Sequence, residues 1–126
     1  VNADVIPARQ LLCLLEDTAA GLCPDTAAIE LLARHGHFLH QRAFRRFVAT
    51  STTMFGGQPA AVIRWRPAVH ALDAGWLPCS TSEQAVLRIA ASLGDPDIAV
   101  HLRQVLGGLD HTNITLVTRA ITTANG

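Results

Sequence analysis

PCSTSEQAVLRIAASLG, residues 78–94, carries the most complete local folding signals in the chain. Ser80 with Glu83 three positions on forms a capping box, in which each side chain accepts a hydrogen bond from the other residue's backbone N–H. Val86, Ile89, Ala90 and Leu93 follow at the i, i+3, i+4, i+7 spacing of one helix face, and Gln84, Arg88 and Ser92 take the water side. Gly94 ends the run, so a helix is expected over 81–93.

The same period governs the residues on both sides. Downstream, Asp95-Pro96 makes a turn, 98–102 is briefly extended, and a short helix over 102–106 ends at Gly107-Gly108. Asp110 caps a last helix whose apolar face is Ile114, Leu116, Val117, Ala120, Ile121 and Ala124. That segment is rich in Thr, Ile and Val, which are poor helix formers, yet periodicity outweighs propensity there. Upstream, Pro67 suits the first turn of a helix over 66–75, while Ala60 to Trp65 is either extended or the start of that helix. Thr50 to Gln58, with its hydroxyl run and Gly56-Gly57, reads as a flexible loop. Before it, a helix over 40–49 places His40, Ala43, Phe44, Phe47 and Val48 on one arc and Gln41, Arg42, Arg45 and Arg46 on the other. Two proline-started, glycine-stopped helices open the chain, over 7–20 and 24–35, and the first is apolar enough around its girth to be central. The expectation is an all-α fold, a single compact domain over 1–126 built from six or seven short helices.

Size and composition agree with one domain. A chain of 126 residues has a radius of gyration of about 14 Å and a core large enough to fold without staples. With 49% apolar and 16% charged residues the chain is not of the disordered class. No apolar run approaches the ~18 residues of a membrane span, and the start lacks the basic-then-apolar order of a secretory signal, so the expected compartment is the cytoplasm. All ten cations are arginine, as in the codon bias of a GC-rich genome. Cys13, Cys23 and Cys79 are odd in number and set among apolar residues, which suggests buried, reduced thiols.

A formal charge of zero conceals an asymmetry. Residues 31–70 hold six arginines, four histidines and no acid, a charge of +6 between flanks of −4 and −2. Five of the six aromatic residues lie in the same stretch. Arginines interleaved with rings suit a nucleic acid, whose phosphates they neutralise and whose bases the rings stack. An amphipathic helix with a solvated outer face explains the Arg42, Arg45 and Arg46 arc equally, although not the absence of acids. The candidate binding residues are therefore Arg42, Arg45, Arg46, Arg64, Trp65 and Arg66, and the partner is an acidic protein surface or a nucleic acid. Apolar residues such as Leu11 to Leu15, Phe55, Trp65 and Trp76 exceed what one small core needs, so a homodimer is also expected.

Catalytic and cofactor chemistry is not indicated. His35, His37 and His40, in the string HGHFLH, lack the paired spacing of a zinc site, so no metal or cofactor is expected. Gly56-Gly57 and Gly107-Gly108 lack a phosphate-loop pattern, and no Ser or Cys sits in a nucleophile motif. Cys79 just before a helix cap is the nearest approach to an activated thiol, a position that more commonly serves packing.

Two resemblances add to this reading. LPCSTSEQAVLRIAASL followed by GLDHTNITLVTRA, together with RHGHFLH, is similar to small actinobacterial proteins of unassigned function, a likeness that brings no site residues. The helix, short helix, Gly-Gly-Leu-Asp turn and longer helix over 81–124 resemble a winged-helix or helix-turn-helix layout. That family reads DNA with its last helix, which here would present His111, Asn113, Thr115, Thr118, Arg119 and Thr122 with one Arg alone. The leading expectation is a small non-enzymatic helical protein that binds a macromolecular partner through its arginine face. The alternative is a nucleic-acid-binding transcriptional regulator.

Overall fold

A computed structural model of the chain describes residues 3–51 and 58–126. The chain is mostly helical, with a small two-stranded sheet near its middle. After a 3₁₀ turn over Ala3–Val5, helices α1 (Ala8–Ala19) and α2 (Cys23–His35) follow. A second 3₁₀ turn, Phe38–His40, leads into the single turn of α3 (Arg42–Arg45). Strands β1 (Val48–Ser51) and β2 (Ala60–Ile63) pair antiparallel, with Val48 opposite Ile63 and Ser51 opposite Ala60. Helices α4 (Trp65–Asp73), α5 (Thr81–Gly94), α6 (Leu102–Leu106) and α7 (His111–Asn125) complete the chain.

The helix at the centre is α2. It buries Ala27, Ala28, Ile29, Leu31 and Leu32, and it packs more extensively against α7 and α5 than any other pair of elements does. Its small Ala27 and Ala28 let neighbouring backbones approach, and Gly36 ends it in the left-handed conformation (φ 80°) that a side chain would strain. The expected centre, α1, instead lies between α2 and β2; Leu11 and Leu15 are buried while Leu12 and Leu14 are only partly covered.

The capped helix forms as its sequence dictates. Ser80 Oγ accepts from Glu83 N at 3.2 Å and Glu83 Oε1 accepts from Ser80 N at 2.7 Å, so both halves of the capping box are made. Helix α7 is capped by Asp110 Oδ1, 2.8 Å from Asn113 N, and buries Val117 and Ala120, but Ile121 stands exposed. Residues 98–101 belong to no helix or strand.

The all-α expectation needs correction at residues 40–63. The helix expected over 40–49 exists only as Arg42–Arg45, and Val48 onward turns extended to pair with Ala60–Ile63. β-Branched Val48, Thr50, Val62 and Ile63 favour a pleated, half-buried surface. Phe38 and Phe44 are fully buried with ring centroids 5.5 Å apart, which anchors the short turns before the sheet. The loop expected between Thr50 and Gln58 falls mostly on residues 52–57, which lie outside the described residues, as does Phe55. No helix among the described residues is long and apolar enough to cross a membrane.

Candidate binding surface

The six candidate residues part into three groups. Arg45 points inward: its Nε donates to Leu39 O at 2.8 Å and its Nη1 to Ile6 O at 2.8 Å, with Ala3 O at 3.5 Å. It is a clamp that holds the N-terminal segment against the 3₁₀ turn before α3, and it offers no charge to a partner. Trp65 also faces inward, 9% exposed, its indole lying over Gly94.

A second group faces outward but is paired within the chain. Arg42 lies 3.7 Å from Asp4, and Arg66 donates to Asp95 at 3.2 Å and to Asp97. Beyond the six, Arg34 pairs with Glu30 at 3.0 Å. Each of these acids comes from outside the Leu31–His70 stretch. The absence of acids across those forty residues is thus balanced in three dimensions, because the acidic flanks fold back onto the basic segment. Such exposed pairs contribute about 0–1 kcal/mol each, so their effect is on surface charge more than on stability.

Arg46 and Arg64 remain. Both are exposed, and neither has an acidic partner among the described residues. Arg64 N donates to Phe47 O at 2.7 Å, which sets Arg64 beside the residue that follows Arg46 and extends the β1–β2 ladder by one step beyond Val48 and Ile63. The solvent face of that hairpin carries Ala49 opposite Val62, which is 38% exposed. A small apolar patch with two unneutralised arginines at one end is the result.

The histidines gather elsewhere. His37 Nδ1 lies 2.9 Å from Glu83 Oε2, and its Nε2 lies 3.2 Å from Pro78 O, which also accepts from Gln41 Nε2 at 2.8 Å. His35 packs beside it, ring centroids 6.2 Å apart, with a buried Nδ1 that has no hydrogen-bond partner among the described residues. Burial holds the His35 imidazole below its ordinary range, against the opposing charge of Glu83. Glu83 is held below the carboxylate range chiefly by the Ser80 backbone N–H. No group of three or more His, Cys, Asp or Glu among the described residues is arranged to hold a metal.

Cys79 is not an activated thiol. Its Sγ donates to Leu77 O at 3.3 Å, and burial pushes its pKa up. The expectation of three buried thiols fails at Cys13 and Cys23, which are both exposed. Among the aromatics, Trp76 stands 66% exposed with the His70 ring 6.0 Å away.

The polar side chains of the last helix are largely engaged within the chain. Hydroxyls of Thr115, Thr118 and Thr122 donate to carbonyls four residues back, and Arg119 lies 3.6 Å from Glu30. Asn113, expected on its outward face, is buried and donates to Ser82 Oγ at 2.8 Å.

Sequence reasoning missed the inward turn of Arg45 and the His37–Glu83 contact. Arg45 sits beside Arg42 and Arg46 with no local sign to separate them; for His37, the only signal was a histidine-rich string ahead of a capping glutamate. No family model matches this chain, and no curated protein or solved structure shows significant similarity to it.

Proposed function

We propose that the protein is a small helical binding module that meets an acidic protein surface through Arg46 and Arg64, with Val62 and Ala49 next along the hairpin from them. One observation carries this reading: Arg46 and Arg64 are exposed, lack acidic partners among the described residues, and lie at the same end of the hairpin, where Arg64 N donates to Phe47 O. An apolar centre with arginine at its border is the composition of a protein–protein contact. Nucleic acid binders typically neutralise about six to ten phosphates, and two free arginines fall well short of that.

Binding to immobilised polyglutamate and to single-stranded DNA, each at rising salt, tests the reading. Polyglutamate retention at low salt should be lost in the R46Q/R64Q double variant and kept in R103Q, which alters an exposed arginine elsewhere. Equal retention of the double variant, or DNA binding with a salt dependence equivalent to about six contacts, would overturn it.

A further inference from the structure

A separate cleft of about 230 Å³ opens where α1, α2, β2 and the ends of α4 and α5 meet. Leu15, Ala19, Ile63 and the Trp65 ring supply apolar wall, and Asp25, in the first turn of α2, is the one ionisable residue among the described residues that line it. The Asp25 carboxylate has no hydrogen-bond or ion-pair partner among the described residues. Trp65 is more than nine-tenths buried, yet its indole N–H finds no acceptor among the described residues. Nothing else on the wall relieves them: Thr18 Oγ1 donates to Leu14 O at 2.9 Å and accepts from Ala61 N at 3.3 Å.

An indole N–H and a half-buried carboxylate, neither with a partner among the described residues and both on one apolar cleft, are polar groups that a ligand can engage. The volume exceeds the roughly 150 Å³ of a cavity that holds benzene and falls below the ~300 Å³ at which drug-sized sites begin, so the occupant is small. We propose that this cleft binds a small primary amine with a short aliphatic body and a hydroxyl or carbonyl acceptor. Its ammonium pairs with Asp25, its chain lies along Leu15, Ile63 and the Trp65 ring, and its acceptor takes the indole N–H. Burial raises the Asp25 pKa, which is the response of a carboxylate that lacks a compensating cation.

Gly94 keeps the cleft open. A Cβ at this position would stand 2.2 Å from Trp65 Nε1, so any side chain there displaces the indole.

Trp76→Phe leaves Trp65 as the only tryptophan and its fluorescence as the readout. In that background 4-amino-1-butanol should give a saturable change, n-butylamine a weaker one, 1-butanol weaker still, and butyrate none. Asp25→Asn should weaken aminobutanol binding at least tenfold, and Gly94→Ala should shift the emission and abolish binding. Affinity for aminobutanol should also fall as pH is lowered from 7 toward 4, while that for 1-butanol stays level; this arm decides the matter if Asp25→Asn does not fold. Absence of saturation with any amine, butyrate binding as well as aminobutanol, or pH-independent amine binding would overturn the proposal, as would Asp25→Asn binding within twofold of its parent.

Discussion

Residues 38–51 and residues 80–125 reach their structures by different routes. In the second region each helix carries its own start signal, Ser80 with Glu83 and then Asp110, and its own buried stripe. In the first region a helical pattern of ten residues yields one helical turn and a strand, because partners far along the chain decide the outcome. The Arg45 guanidinium reaches back to Leu39 and Ile6, and Val48 finds Ile63. Local rules are trustworthy where caps and period agree. Where only a wheel speaks for a helix, a pair of long-range contacts is enough to override it.

The largest expected effect breaks this comparison at its long-range side. Arg45→Gln removes the charged donor from the carbonyls of Leu39 and Ile6, and hydrogen bonds of this kind are worth about 1.5–3 kcal/mol, so a loss of roughly 2–3 kcal/mol in urea unfolding is expected. Amide exchange should rise across residues 3–6 and leave α5 and α7 unchanged. Arg46→Gln, one residue on, should leave stability within about 0.5 kcal/mol of the parent. Equal effects at the two positions would show that Arg45 is an ordinary surface arginine.

A smaller effect sharpens the local side. Ser80→Ala deletes one half of the capping box and should cost about 1 kcal/mol, with faster exchange confined to the first turn of α5. A change that spread to β1 and β2 would mean that the cap is not a local device.

The smallest effect probes the second region through pH, because His35 ends α2 beside the start of α5. Burial keeps the folded-state His35 below its ordinary value of 6.5, so between the two values the unfolded chain binds a proton that the folded chain does not. Stability is therefore full above that ordinary value and declines as pH falls through it toward the folded value. Glu83, also held low, acts in the same direction but further down, below its ordinary 4.5. Thermal unfolding followed from pH 7.5 to 5.5 should show a decline that His35→Gln flattens; an unchanged slope in that variant would place the titration elsewhere.

These contrasts also explain what the sequence could reveal. The bounds of α2, α5, α6 and α7 were legible to within a residue or two, since proline, glycine and capping side chains act over a few positions. The charge asymmetry was legible as well, and its meaning was not. Asp4, Glu30, Asp95 and Asp97 lie outside the basic stretch in sequence and against it in space. On a wheel Arg45 and Arg46 shared an outward arc; the extended backbone at Val48 removed the helix on which that wheel was drawn. Trp65 read as part of a contact surface because the space over Gly94, which receives its indole, comes from a residue 29 positions away.

Arg45 also sets an order of events during folding. Its bond to Ile6 joins residues 39 apart, and closing so large a loop costs chain entropy before the contact returns anything. The clamp is expected to shut after α1 and α2 have docked and carried the N-terminal segment into range. Its contribution is then absent from the folding transition state, and Arg45→Gln should accelerate unfolding while leaving the refolding rate nearly unchanged. A single guanidinium would thus act as a latch on the lifetime of the folded chain, with little part in how quickly that chain is reached.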